Sequence, residues 1–397
     1  MSIIEVKELT KVFDNNIRAV DGISFTVKKG EILGFLGPNG AGKTTTLNML
    51  ATLLRPTSGT ASINGYDILK EPDGVRRSIG YVFQDPTLDL ELTGRENLDF
   101  HGRIYGLERD VRQQRIREML DTVNLADRAD DFVNTYSGGM KRRLEIARGL
   151  LHYPKVLFLD EPTLGLDPQT RRAIWEQIQR LNQEESVTII LTTHYTEEAD
   201  YLCDRIQIID FGKIVALDTP NKLKARLEGD IVSLTFKTPQ HARQIQQMLE
   251  NKEWIRRIDK VANGNHYVSI HPNIQKIQRS RRDERADGMA SNMSYVQASG
   301  AEKFSKDMLG ADNKNVQHES KRLNLLVDNG GSRVPEIVKL IHGTEIILES
   351  VEIHKPTLDD VFLTVTGRNI RQEQGSFMDT VRRHRIIRHA RGQRGKR

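Results

Sequence analysis

The 397-residue chain has one cysteine, Cys203, so it can form no internal disulfide, a scarcity that suits a reducing, cytosolic setting. It has no apolar run approaching the ~20 residues a helix needs to cross a membrane. Lys7, Glu8 and Lys11 interrupt the start, where a secretion signal would be apolar. Any link to a membrane is therefore expected through a partner or a surface contact. Neither sign of charge dominates, with 59 Lys and Arg against 54 acids. Even the net +5 misleads, because Arg368 to Arg397 holds ten Lys or Arg against two acids. That tail alone carries +8 and leaves the rest of the chain at −3. A slightly acidic body with a basic end argues against a nucleic-acid-binding face spread over a domain. The length suffices for two or three domains, and 37% hydrophobic residues can supply their cores.

The run Gly37-Pro38-Asn39-Gly40-Ala41-Gly42-Lys43-Thr44 reads G-x-x-x-x-G-K-T, the phosphate-cradling loop of nucleotide triphosphatases. Its surroundings agree. Glu31 to Leu36 is a short apolar run, read as a buried strand. After the loop Leu47, Leu50 and Leu54 recur at helical spacing, before Pro56 and Gly59 end the segment. Strand, glycine loop and helix together aim backbone N–H groups and the positive helix end at phosphates. Lys43 is then expected to reach the β- and γ-phosphates, with the Thr44 hydroxyl on Mg²⁺.

Lys155-Val-Leu-Phe-Leu-Asp160-Glu161-Pro162 is an apolar run ending in two acids, as a central parallel strand buried on both faces would be. Ligands in such sheets sit beyond the carboxyl ends of the strands. Asp160 is thus a candidate for Mg²⁺, and Glu161 for accepting a proton from the attacking water. Between these motifs, Ser137 precedes Gly138, Gly139 and Met140, with Leu144, Ala147 and Leu151 on one face. Ser137 reads as an N-cap. On shape alone, a simple capped helix and an anion contact both remain open.

Together these motifs make residues 3 to 220 resemble the nucleotide-binding subunit of an ABC transporter. Tyr136-Ser-Gly-Gly-Met140 matches the family's signature motif, usually written with Leu first and Gln last; Met140 removes one polar side chain from that interface. Leu164-Gly165-Leu166-Asp167-Pro168 matches the D-loop. Gln84, after the strand-like Ile79 to Phe83, matches the Q-loop, and His194, after Val187 to Leu191, the switch histidine. Phe13 stands where the family stacks an aromatic ring on adenine.

The resemblance implies an α/β, RecA-like P-loop fold with a helical subdomain over about 85–150, and a small C-terminal α+β accessory domain. It implies ATP and Mg²⁺ as ligands. Phe13, the loop from Gly37 to Thr45 and Gln84 would bind ATP. Thr44, Gln84 and Asp160 would surround Mg²⁺, and Glu161 and His194 would act on water. Ser137, Gly138, Gly139 and Met140 would reach the nucleotide of a second copy, so that two copies sandwich ATP head to tail. Separately encoded membrane-spanning subunits are implied as partners, with the ATPase peripheral on the cytoplasmic face of the cell membrane. The run from Glu91 to Leu98 resembles the one that, in the daunorubicin-resistance type of exporter, contacts the membrane subunit. By itself it reads as a helix start with a Thr93/Glu96 capping box.

Beyond Pro220 the motifs stop. Strands are expected at Ile231–Phe236, Ile255–Val261, His266–Ile270, Leu323–Val327 and Ile346–Ile353, with helices at His241–Leu249 and near Val334–Ile341. This suits an α+β accessory domain over 221–370, supporting dimers, regulating, or acting as a spacer. Residues 272–322 have few large apolar groups and read as a mobile insertion. The basic tail, 371–397, reads equally as a solvated, disordered segment or as a contact for anionic lipid, with nucleic-acid contact also open.

Overall fold

The computed structural model describes residues 2–14, 16–261, 267–270 and 320–366. All but the last three residues of the expected insertion, and the whole basic tail, lie outside the described residues. The chain divides into two compact units, one of residues 1–226 with the closing segment from Thr357, the other of Leu227–Pro356. No helix among the described residues is long and apolar enough to cross a membrane.

In the first unit an antiparallel sheet has the order β2-β1-β4-β5, from β1 (Ser2–Phe13), β2 (Ile17–Lys28), β4 (Ser58–Ile63) and β5 (Tyr66–Asp67). A second sheet has the order β10-β9-β3-β8-β7-β6. Here β3 (Ile32–Leu36), β6 (Ile79–Val82), β7 (Val156–Asp160), β8 (Thr188–Thr193) and β9 (Arg205–Asp210) run parallel, and β10 (Lys213–Asp218) is an antiparallel edge. Every residue of β3, β7 and β8 is buried, the reason these strands read as continuous rather than alternating runs. Their carboxyl ends therefore open at one edge of the sheet.

Helix α1 (Lys43–Leu50) follows β3, and α2 (Pro72–Ser78) precedes β6. The leucine spacing extended α1 to Leu54, but Thr52 has a left-handed backbone (φ 61°) and the helix stops at Leu50. Between β6 and β7 lie α3 (Gly94–Ile104), α4 (Arg109–Thr122) and α5 (Gly138–Leu150). The capping box at the start of α3 forms in both directions, Thr93 accepting from the Glu96 N–H and Glu96 from that of Thr93. Helices α6 (Pro168–Glu185), α7 (Thr196–Leu202) and α8 (Pro220–Ala225) complete the main run of this unit.

The second unit is a five-stranded antiparallel sheet of order β13-β12-β14-β11-β15, from β11 (Asp230–Phe236), β12 (Ile255–Val261), β13 (Tyr267–Ile270), β14 (Arg322–Val327) and β15 (Leu348–His354). Val232, Leu234 and Phe236 of β11 join Leu323, Leu325 and Val327 of β14 in one apolar cluster with Ala242, Ile245 and Leu249 of α9 (Pro239–Leu249). Helix α10 (Gly330–Ile341) adds Ile337 and begins earlier than its apolar residues suggest, because Asn329 caps it by accepting the Ser332 N–H.

The division differs from the boundary drawn after residue 220. Helix α8 and the closing helix α11 (Leu358–Thr366) belong to the first unit, where α11 packs against α7, α8 and β10. Leu358, Val361, Phe362 and Leu363 supply its buried face. A motif marks where chemistry ends, whereas an apolar face decides which core a helix joins.

Candidate functional site

Strand β3 delivers the chain into the glycine loop, and α1 carries it away. Gly42 has φ 103°, and a Cβ there would lie 2.3 Å from the Ala19 carbonyl oxygen; at Gly37 it would lie 2.3 Å from that of Ile209. Only glycine fits both places, so the backbone can turn its N–H groups to one side. Asn39 and Gly40, at the tip of the loop, are exposed. Pro38, Ala41 and Lys43 are buried, and Thr44 and Thr45 half-buried.

The Lys43 ammonium donates to the carbonyls of Gly37 (2.7 Å) and Pro38 (3.0 Å) and lies 3.6 Å from Glu161 Oε1. Thr44 Oγ1 donates to Asp160 Oδ1 at 3.0 Å, and Thr192 Oγ1 to the same oxygen at 2.5 Å. Glu161 Oε2 lies 3.2 Å from His194 Nδ1. Asp160, Glu161 and His194 come from the ends of neighbouring parallel strands, β7 and β8, which is what draws residues so distant in sequence together.

Burial sets the electrostatics. Desolvation pushes the Asp160 carboxyl above its ordinary range, only partly countered by the hydroxyls of Thr192 and Thr44. A metal cation beside it would favour the ionised form. For Glu161 burial also acts upward, but contact with His194 and the Lys43 charge outweigh it, and its pKa is held below the usual value. Two adjacent carboxyls are thus moved apart in acidity by their neighbours.

The other predicted residues are spread around this centre. Ser137 caps α5, accepting the Met140 N–H at 3.3 Å, and Ser137 and Gly138 are exposed. Gly139 is buried against Thr170, whose Cγ2 would lie 2.5 Å from an added Cβ. Met140 is half-buried. Asp167 is exposed and caps α6 by accepting the Thr170 N–H at 3.0 Å. Gln84 lies exposed beyond β6. Phe13 is 41% exposed at the end of β1, with the Lys11 ammonium 5.3 Å from its ring centre.

Motif reading missed residues that hold the centre from behind. Thr192 accepts the Glu161 N–H at 3.0 Å while donating to Asp160. Glu198, fully buried in α7, accepts from Thr163 Oγ1 (2.7 Å) and from the Trp175 ring N–H (2.9 Å). Their only sequence signal is proximity, since Thr192 stands two residues before His194 and Thr163 two after Glu161.

A parallel sheet with a lysine-bearing glycine loop, two acids and a histidine at its carboxyl edge defines a P-loop ATPase. Residues 20–164 match the ABC transporter family. Over 246 residues the chain is 45% identical to a daunorubicin/doxorubicin resistance ATP-binding protein of Streptomyces peucetius, covering 62% of this chain and 74% of that one. It is 33% identical over 350 residues to a daunorubicin resistance ATP-binding protein of Streptomyces coeruleorubidus, covering 88% and 91%. Among solved structures it is similar to cbiO1 from Clostridium perfringens, part of the ABC transporter complex cbiONQ, at 28% identity and TM-score 0.54, covering 63% of this chain and 95% of that one. A dimeric bacterial ABC transporter cassette matches at 30% identity and TM-score 0.50, covering 54% and 98%. The chain belongs to the ATP-binding proteins of the ABC transporter family and is an ABC ATPase, hydrolysing ATP to drive transport.

Proposed function

We propose that this chain powers an exporter of drug-, lipid- or antibiotic-like substrates, working as two copies with separately encoded membrane-spanning subunits at the cytoplasmic face of the membrane. The observation that carries the reading is the convergence of Lys43, Asp160, Glu161 and His194 at one edge of the sheet. Similarity to daunorubicin resistance proteins supports the substrate class. Similarity to a part of a transporter complex and to a dimeric cassette supports the partners.

In this mechanism the glycine-loop N–H groups and Lys43 hold the β- and γ-phosphates, and Phe13 stacks on adenine. Thr44 and Asp160 fit Mg²⁺, because two hard oxygens meet at 3.0 Å beside the loop, and this cation takes few protein oxygens alongside phosphate. Gln84 would join them from beyond β6. When bound, Mg²⁺ offsets charge on the phosphate oxygens. Glu161, ionised at neutral pH, takes a proton from the water as that water attacks the γ-phosphorus, and His194 steadies the carboxylate. Ser137 and Gly138, exposed at the start of α5, and Gly139 and Met140 beside them face the γ-phosphate bound by the other copy, with Asp167 alongside. One copy carries only half of each site.

The test is a pull-down of tagged Glu161→Gln protein from detergent-solubilised native membranes with ATP present. The expected result is stoichiometric recovery of a multi-span membrane protein, whose substrates can then be assayed. Recovery of ribosomes or nucleic acid in its place would overturn the exporter reading.

A further inference from the structure

One buried arginine next to the start of α5 takes no part in the chemistry described so far. Arg142 is 6% exposed, and all five of its N–H donors have acceptors. Its Nε donates to the Pro162 carbonyl at 2.6 Å. One terminal nitrogen donates to the carbonyls of Asp160 (3.0 Å) and Glu161 (2.9 Å). The other donates to the Phe83 carbonyl (2.5 Å) and to Glu145 Oε2 (3.1 Å). Three consecutive carbonyls of the segment leaving β7 therefore converge on one rigid guanidinium fork.

That segment needs holding. Glu161 has φ 47°, in the left-handed region that a side chain with a Cβ rarely occupies. Such a conformation persists only where its surroundings over-determine it. Around Glu161 they do so from two sides, since Thr192 takes its N–H and Arg142 its carbonyl. The same guanidinium reaches the loop that carries Gln84. Arg142 takes the Phe83 carbonyl on one side of that residue, and Glu145, fully buried, accepts the Thr87 N–H on the other at 2.9 Å.

We propose that Arg142 is a positioning residue for hydrolysis, holding the left-handed Glu161 peptide in place and fixing the Gln84 loop to it through the Arg142–Glu145 pair. The proposal rests on Glu161 acting on the water. Arg142 touches neither nucleotide nor water in this scheme, and its effect passes through the backbone of residues that do. A misplacement near 1 Å costs about 10²-fold in rate, so turnover is the quantity that answers, while nucleotide binding depends on the separate glycine loop.

The experiment compares full-length wild type, Arg142→Gln, Arg142→Lys and Glu161→Gln for kcat, KM for ATP and binding of a fluorescent ATP analogue. Arg142→Gln is expected to lose about 10²-fold in kcat with analogue affinity within about twofold of wild type. Arg142→Lys keeps the charge without the fork and is expected to recover part of that loss. Wild-type kcat in both Arg142 variants beside an inactive Glu161→Gln would overturn the role of Arg142 alone. So would a kcat loss accompanied by an equal loss of analogue binding, the mark of a general structural role. Wild-type turnover by Glu161→Gln would instead remove the reading of Glu161. If Arg142→Gln does not fold, Arg142→Lys carries the same kcat-against-binding comparison.

Discussion

The two units bury charge to different extents: among the described residues of the second, the buried charges are Asp230 and the Arg257–Asp259 pair. The first places Lys43, Arg142, Glu145, Asp160, Glu161 and Glu198 out of solvent, each beside groups that bond or oppose its charge. The cluster between sheet and helices in the second unit is apolar, with Val232, Leu234 and Phe236 of its sheet facing Ala242, Ile245 and Leu249 of α9. Burying a charge without partners is costly, so the first unit needs particular residues at particular places. An apolar core is met by many sequences of similar volume. That is why the first unit is written in motifs and the second in periodicity, and why chemistry is expected to fail through single atoms in one and through volume in the other.

The sharpest way to test that contrast is Glu161→Gln, which changes one atom's chemistry and almost no volume. We expect ATP turnover to fall by about 10³-fold with nucleotide binding retained, as removal of a general base predicts. Rapid hydrolysis would dissolve the contrast at its centre. Phe236→Ala removes a fully buried ring from the second unit. It is expected to destabilise that unit by about 3–5 kcal/mol, measured by denaturant unfolding, while ATP affinity stays as in wild type. A parallel drop in ATP affinity would mean that the two units do not divide their labour this way. The smallest of these effects is expected from Thr93→Ala, which removes the cap of α3 at a cost of about 1 kcal/mol. Thermal unfolding reads that loss, and an unchanged melting temperature would show that the helix is held by its packing alone.

What the sequence determined by itself was largely local or chemically explicit. The strand before the glycine loop and the helix after it follow from residue types within one short stretch, and the structure has β3 and α1 in those places. Ser137 as a cap, the Thr93/Glu96 box and the strands from Ile231 to Phe236 and Leu323 to Val327 follow from neighbours within a few residues, and the structure has each of them. Tertiary structure decided the rest. The convergence of Arg142 on Phe83, Asp160, Glu161 and Pro162 joins backbone carbonyls, which carry no side-chain signature for a motif to register. The membership of α11 in the first unit depends on which apolar surface lies near its buried face, and periodicity reveals a face without naming its partner. Sequence specifies bonds made along the chain and the residue types that chemistry demands, whereas contacts across the sheet exist only once the strands have chosen their order.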